Sequence, residues 1–350
     1  MATQQRSLCL SSSLSSSTSA SRSGSRQLPS RFALALLTAL LLNACGGGGS
    51  SSNTAAVTDP VAPVLTAAPG TTATPAPVAA PGTPPLTGNT ATDGFNWFNY
   101  RRQLLGEPPL VRTATIDTAA QNHSQYQQLN NTISHEQVAG KPGFTGAVLL
   151  DRLQAANFRF TRSSYAYGEV ISSTSDASGV NAAEDLITAI YHRFASFEPM
   201  FRLGGTGSAV SSSGRTYFTV DLVADGLDAA LGRGKFLVYP ADGQQGLPPV
   251  FFSDYESPDP VAGRNQVGYP ISIHADITST VAVTSFTVRA RGGNILPAQL
   301  LAHASDPQTP ASAAALIPLD VLASNTTYDV QFAGTVDGTA VTRAWSFTTR

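Results

Sequence analysis

Three short pieces between Tyr165 and Gly207 decide the fold: YAYGEVI at residues 165–171, YHRF at residues 191–194 and LGGTG at residues 203–207. The first piece has the aromatic and β-branched content of a strand, and Gly168 within it indicates a close approach of another part of the chain. The second piece lies on a predicted helix, and the third is predicted to form a turn. With His135 upstream, these pieces supply the His and Glu side chains that can converge on one site.

The helix that carries His192 has a well-defined apolar face. Asn181 and Glu184 resemble a capping box, so the helix is predicted to begin there. At about 100° per residue, His192 falls opposite the apolar side chains, and the periodicity leaves open whether it faces solvent or a cleft. The apolar arc contains Leu186, Ile187, Ile190, Phe194 and Phe197.

The rest of this region is predicted to alternate helices and short strands. Apolar periodicity predicts one helix over residues 93–105, stopped by Gly106, and a second over residues 116–130. Thr145 is predicted to cap a third helix. Two strands are predicted at residues 208–212 and 217–223, and the second of these alternates polar and apolar side chains as a half-buried strand does.

Two other histidine positions give no catalytic motif by themselves. His123 and Ser124 are neighbours on a helix and do not face each other, so His123 is predicted to be a hydrogen-bonded core histidine. Ile133-Ser-His135-Glu136 is not a zincin helix, because Ala139 stands where the second histidine is needed. A Gly-x-Ser-x-Gly nucleophile elbow is also missing from the sequence.

Charge and cysteine content exclude several classes of protein. The four arginines of residues 1–44 have no acidic residues beside them, so the rest of the chain holds 17 basic and 23 acidic residues, a net charge of -6. A mildly acidic chain without a basic cluster indicates that nucleic acid is not a partner. Cys9 and Cys45 are the two cysteines, and their positions predict neither a disulfide framework nor a thiolate metal site.

The first 92 residues are predicted to anchor and extend the protein. Residues 1–44 combine arginines with a short apolar run and are interpreted as an export signal. Leu42-Asn-Ala-Cys45 resembles a bacterial lipobox, so lipid on Cys45 is predicted to attach the chain to a membrane; a simple secretory signal is the alternative. Residues 45–92, rich in Gly, Ser, Ala, Pro and Thr, are predicted to form a disordered tether. Some lipoproteins are retained in the inner membrane by an Asp directly after the lipidated Cys. Gly46 stands at that position here, which favours the outer membrane.

Residues 227–350 have a different texture. Gly, Pro and Asp turns separate short β-rich runs at residues 267–275, 281–291, 327–334 and 340–349, which predicts a β-sandwich. Leu319-Asp320, Tyr328-Asp-Val-Gln and Trp345-Ser-Phe-Thr-Thr resemble bacterial Ig-like domains.

Residues 95–223 resemble the bacterial form of the CAP family, which comprises cysteine-rich secretory proteins, antigen 5 and pathogenesis-related proteins. The resemblance implies an α+β fold: a CAP-type α-β-α sandwich with a surface groove at residues 93–226, followed here by the all-β Ig-like sandwich. The pieces that match in order and spacing are Asn99-Tyr-Arg-Arg102, Gly106, Leu110, Ala119-Ala-Gln-Asn-His123-Ser124, Ser134-His135, Gly168-Glu169-Val-Ile, His192-Arg193, Pro199, Phe201, Gly205, Gly207 and Tyr217-Phe-Thr219.

The resemblance also implies candidate site residues. His135 matches the first groove histidine of the family and Glu169 the first glutamate; His192 matches the helix histidine of bacterial members. The second glutamate falls at Ala189 and the second histidine at Tyr217, so both are missing, and Tyr217 becomes a candidate groove residue. Some members hold a divalent metal with such a set, and two imidazoles with one carboxylate can form an open zinc site.

Three hypotheses for function follow. The first is an envelope protein without catalysis, whose groove binds an apolar or glycan ligand. The second is a metal-assisted hydrolase of peptide or cell-wall bonds, in which His135 and His192 hold zinc and Glu169 is a ligand or the catalytic base. Within it, a purely structural hydrogen bond between His135 and Glu169 is the simpler alternative. The third is a structural surface protein that contacts other envelope proteins.

Overall fold

Apolar periodicity produces five helices in the first half of the folded chain. Asn89 caps α1 by accepting a hydrogen bond from the N–H of Thr92. The helix stops where predicted, since Gly106 has the positive φ of 82° that glycine adopts readily after a helix end. The helices are α1 (Thr90–Leu104), α2 (Ala114–Asn130), α3 (Leu149–Ala155), α4 (Gly179–Thr188) and α5 (Ile190–Ser196).

This computed structural model describes residues 82–350 in full and residues 9–16 as backbone. The predicted lipidation site Cys45, the apolar run of the export signal and most of the tether lie outside the described residues. Thr87 already packs on the folded part, because its N–H and hydroxyl both donate to Asp93. Within the described residues, no helix is long and apolar enough to cross a membrane.

The single helix predicted from Asn181 onward is wrong. The chain adopts an extended conformation at Ala189, with ψ at 121°, and α5 starts again at the next residue. The start of α4 also differs, since Ser178 rather than Asn181 is its cap. Because α5 does not continue the axis of α4, the helical wheel drawn through both places His192 incorrectly.

A five-stranded sheet lies between the helices, with strand order β1-β3-β5-β4-β2. Strand β5 pairs antiparallel with both β3 and β4, β2 pairs parallel with β4, and β1 pairs antiparallel with the outer edge of β3. The strands are β1 (Cys9–Ser16), β2 (Val111–Arg112), β3 (Ser164–Thr174), β4 (Leu203–Val210) and β5 (Thr216–Asp225).

Helices cover both faces of this sheet. Helices α1 and α4 pack together on one face, and α2 packs on β4 and β5 from the other. Strand β5 is therefore buried on both faces, and the prediction of a half-buried strand is wrong. The predicted turn at residues 203–207 is also wrong, because these residues begin β4. A Cβ atom at Gly205 or Gly207 would lie 2.2 Å from a backbone nitrogen of α2, so the glycines allow the helix to approach the strand.

Residues 237–349 form an all-β region built mainly from two four-stranded sheets, in orders β12-β13-β10-β6 and β11-β14-β15-β7. The four predicted β runs are present, and the region contains further strands that were not predicted, such as β12 and β13. The strands are β6 (Leu237–Tyr239), β7 (Gln244–Leu247), β8 (Val250–Phe252), β9 (Gln266–Gly268), β10 (Ile271–His274), β11 (Val281–Ala290), β12 (Ala298–Ala302), β13 (Ala313–Pro318), β14 (Thr327–Val336) and β15 (Thr339–Thr349).

The all-β region packs directly against α5. Ile190, Tyr191 and Phe194 of this helix share one buried apolar cluster with Phe251 and Val267. Residues 82–350 accordingly belong to one compact unit. Helix α5 is therefore buried from two sides, by the sheet of the first half and by the all-β region.

Candidate functional site

Glu169 on β3 is the centre of a buried polar cluster. Its side chain is fully buried, and each carboxylate oxygen has a charged or polar partner. Nδ1 of His135 lies 2.7 Å from Oε1, and Nη2 of Arg152 donates to Oε2 at 2.6 Å. A carboxylate only accepts hydrogen bonds, so Nδ1 of His135 is the donor. The hydrogen bond between His135 and Glu169, expected as the structural alternative, is present.

Arg152 on α3 connects the strand to the loop that carries His135. Its guanidinium is fully buried and also donates from Nη1 to the backbone carbonyl of His135 at 2.8 Å. Arg152 was not among the site residues predicted from the sequence. The signal was present, because Arg152 is three residues from Leu149 and four residues from Ala156 on the apolar face of its helix. A lone cation on an apolar face needs a buried carboxylate, and Glu169 is that partner.

His123 on α2 also holds the loop that carries His135. Nε2 donates to the carbonyl of Ser134 at 2.8 Å, and Nδ1 accepts from the amide of Gln137 at 2.9 Å. Burial lowers the pKa of His123 to about 4, although the negative charge of Glu169 opposes the shift. The prediction of a hydrogen-bonded core histidine is confirmed.

Asp221 on β5 is a second carboxyl group at this position, and the sequence analysis did not select it. It is directly opposite Glu169 in the β3–β5 pairing and is fully buried. Burial, followed by the charge of Glu169, raises the pKa of Asp221 well above its usual range. Only the strand register brings the two carboxyls together, and the spacing of the sequence does not reveal a register.

The surroundings of Glu169 make it a poor base. Burial opposes its ionisation, but His123, Arg152 and His135 together hold the pKa of its carboxyl well below its usual range. A general base works best when its pKa is near the working pH and a lone pair is free for the substrate. Glu169 meets neither condition, because it is firmly ionised and both of its oxygens are hydrogen-bonded.

Placed as they are, these side chains do not fit a zinc site. The nitrogen of His135 that faces Glu169 and both carboxylate oxygens are already in hydrogen bonds, and the positive charge of Arg152 lies where a cation would have to bind. Across residues 82–350, no group of three or more His, Cys, Asp or Glu side chains is arranged to hold a metal ion. Nε2 of His135 remains buried without a hydrogen-bond partner among these residues.

His192 does not join this cluster. Its side chain faces neither solvent nor a cleft, the two alternatives that the helical wheel left open, because it is fully buried. Nδ1 lies 2.9 Å from Oε1 of Glu256, which follows β8 in the all-β region. The wheel failed because it considered one continuous helix and could not include a second folded region packed on the other side.

Tyr217 lies on the same face of β5 as Asp221, but four residues away, about 13 Å along the strand. Its hydroxyl donates to Oδ1 of Asn131 at 3.0 Å, where α2 ends and the loop begins. Between Tyr217 and Asp221 on this strand, the hydroxyl of Thr219 accepts a hydrogen bond from the hydroxyl of Ser124 at 2.9 Å. Tyr217 therefore positions the start of the loop and does not touch Glu169.

The loop over residues 131–148 presents apolar side chains to solvent. Within the loop, the N–H of Gln137 donates to the carbonyl of Ala147 at 2.9 Å, which joins the middle of the loop to its end. Three large apolar side chains of the loop and Leu129 in the last turn of α2 are exposed by 39–60%. We call these four the apolar loop surface: Leu129, Val138, Phe144 and Val148.

The buried neutral state of His123 makes stability depend on pH. An unfolded His123 takes up a proton below about pH 6.5, whereas the folded one resists protonation until about pH 4. The contribution of neutral His123 to the free energy of unfolding is present above pH 6.5 and is lost as the pH falls towards 4. We expect the stability advantage of the wild type over His123→Gln to shrink by about 2–3 kcal/mol between pH 7 and pH 4. Urea unfolding at both pH values measures it; an advantage that is equal at both contradicts the assignment.

Comparison with known proteins gives a family match and similar solved structures. Residues 95–222 match the profile of the CAP family, described as the cysteine-rich secretory protein family. A solved extracellular protein containing a SCP domain from Bacillus anthracis str. Ames is 25% identical, with a TM-score of 0.31. That match covers 38% of this chain, and the chain spans 40% of that protein's length. No curated protein matches the chain.

The family match covers helices α2 to α5, most of α1, strands β2 to β4 with most of β5, and the polar cluster around Glu169, and it leaves β1 outside. It ends at residue 222, within β5, and so leaves the all-β region outside it. The range agrees with the resemblance found at residues 95–223. Residues 95–222 of this chain are a CAP domain.

Proposed function

We propose that the protein is an envelope protein held to the membrane by lipid on Cys45, and that its CAP domain binds an apolar ligand without catalysis. The observation that carries this proposal is the state of Glu169, whose two oxygens are occupied by His135 and Arg152. The polar cluster therefore shapes the loop, and the side chains offered to a ligand are those of the apolar loop surface. A glycan ligand would instead depend on polar groups of the same loop.

The anchor and the C-terminal region complete this proposal. Residues 1–44 act as the export signal, and the all-β region is an Ig-like spacer. The tether extends the domain away from the outer membrane, but it ends before the predicted residue 92, because Thr87 is hydrogen-bonded to Asp93 and α1 begins at Thr90. Removal of residues 1–44 at Cys45 would also remove β1 from the mature chain. The outer edge of β3 then loses the strand that pairs with it.

The apolar loop surface is tested with phosphatidylcholine vesicles and a Cys45→Ser chain, so that the anchor does not contribute. The double variant Val138→Ser, Phe144→Ser removes about 1–2 kcal/mol of apolar contact, and we expect vesicle affinity in cosedimentation to fall about tenfold. The matched control Ile295→Ser, Val321→Ser changes two exposed apolar side chains of the all-β region and should bind normally. His135→Ala should also bind nearly normally; a loss in His135→Ala alone contradicts the proposal.

One observation favours the second candidate, a metal-assisted hydrolase of peptide or cell-wall bonds. Nε2 of His135 has no hydrogen-bond partner among the described residues and is the one imidazole nitrogen of the cluster left free. Zinc content after dialysis against excess zinc separates the two functions. Stoichiometric zinc that disappears in His135→Ala would overturn the non-catalytic proposal, whereas the same low zinc content in both chains supports it.

A further inference from the structure

A cavity of ≈ 280 Å³ lies between the CAP domain and the all-β region, away from the cluster around Glu169. The CAP side supplies Phe194 and Phe201, and the all-β side supplies Ile277, Pro307 and Pro310. A mostly apolar cavity with a few polar groups at fixed positions is the usual form of a small-molecule site.

One acidic side chain lines this cavity. Glu198 follows α5 and is 5% exposed. Oε1 of its side chain accepts two hydrogen bonds from backbone N–H groups, that of Met200 at 3.0 Å and that of Ile277 at 2.9 Å. These bonds fix the carboxyl group at the junction and leave Oε2 as the oxygen available to a ligand in the cavity.

The charges around Glu198 favour a cationic ligand. Burial, reinforced by the negative charges of Glu107 and Asp276, raises the pKa of Glu198 to about 8. Arg102 is also nearby, but its guanidinium is paired with Glu107 at 2.5 Å. The positive charge of Arg202 also acts on Glu107, where it opposes the rise in the pKa of that carboxyl. A ligand carboxylate would meet these acidic groups, whereas an ammonium group would be attracted by them.

We propose that this cavity binds a small primary amine with an apolar body, whose ammonium group pairs with the Glu198 carboxylate. The apolar body of the ligand contacts Phe194, Phe201 and Ile277. Below pH 8, binding converts the neutral carboxyl to a carboxylate, and the proton goes to the buffer while the amine keeps its own. Above that pH the carboxylate is already formed, and no proton is released.

Calorimetric titration of the full-length chain with cyclohexylamine, cyclohexanol and cyclohexanecarboxylate tests the charge preference. We expect the amine to bind at least tenfold more tightly than the other two compounds. Its affinity should rise about tenfold from pH 7 to pH 9, because ionisation of Glu198 no longer opposes binding. Titration at pH 7 in two buffers of different ionisation enthalpy should show the release of about one proton.

Three variants locate the site. Glu198→Gln keeps an acceptor for both backbone N–H groups, so it should fold, lose at least tenfold in amine affinity and show no proton release. Ala311→Leu fills the cavity from the all-β side and should weaken binding as well. Asp254→Asn removes an exposed carboxylate outside the cavity and should bind as the wild type does. Tighter binding of the carboxylate compound, or equal amine binding in all the variants, would overturn the proposal.

Discussion

Glu169→Ala is expected to lower the free energy of unfolding by about 3–5 kcal/mol. The substitution leaves the guanidinium of Arg152 fully buried and without its carboxylate partner. It also removes the acceptor for Nδ1 of His135, which is 2.7 Å from the carboxylate in the wild type. A buried charge that has lost its partner costs much more than an exposed salt bridge contributes.

A double-mutant cycle with Arg152 measures this coupling. Arg152→Met alone should be strongly destabilising, because two neighbouring carboxyls, Glu169 and Asp221, then share a buried site without a cation. The combination Glu169→Leu, Arg152→Met removes both charges, so its cost should be at least about 2 kcal/mol below the sum of Glu169→Leu alone and Arg152→Met alone. Chemical denaturation of the four chains gives the cycle. Strict additivity would show that the pair is not coupled.

These expectations come from contacts that the sequence shows only in part. His135, Glu169 and the strand around Gly168 could be selected from a family resemblance, and the matched range agrees with it. Arg152 could have been selected from helical spacing. Asp221 could not, because its partnership with Glu169 depends on the register of β3 and β5. Local periodicity describes one element at a time, whereas register arises from the packing of the whole sheet.

The wrong prediction of one continuous helix has a different physical origin. The sequence from Asn181 to Phe197 has continuous apolar periodicity, but the helix breaks at Ala189. A new helix start exposes backbone N–H groups that need acceptors. The acceptor comes from Glu256, more than sixty residues away. Nothing near Ala189 in the sequence signals this capping, so a local analysis favours one continuous helix.

The His192-Arg193 pair serves this junction and not the CAP groove. Arg193 is fully buried; its Nε and Nη1 donate at 2.6 Å to the carbonyls of Ile187 and Pro270, and its guanidinium lies 4.6 Å from the ring centre of Tyr239. Pro270 and Tyr239 belong to the all-β region. Both residues of the pair therefore hold the two parts of the chain together, which explains why neither is available to a ligand near Glu169.

Glu256→Ala is expected to be as destabilising as Glu169→Ala, by about 3–5 kcal/mol. The carboxylate accepts the N–H groups of Ile190 at 2.8 Å and Tyr191 at 2.7 Å, and its Oε1 also lies 2.9 Å from Nδ1 of His192. Alanine leaves these donors buried without acceptors at the start of α5. Since α5 is packed between the sheet and the all-β region, the cost should appear in the unfolding of the whole unit.

Two neighbouring substitutions serve as controls for Glu256→Ala in urea denaturation. Glu256→Gln retains one carbonyl oxygen and the shape of the side chain, so about half of the loss is expected. Asp254→Asn changes an exposed carboxylate two residues away and should stay within about 0.5 kcal/mol of the wild type. If Glu256→Ala costs less than about 1 kcal/mol, the N–H groups of α5 find other acceptors. The junction would then depend on Arg193, the hydrogen bond from Ile277 to Glu198 and apolar contacts.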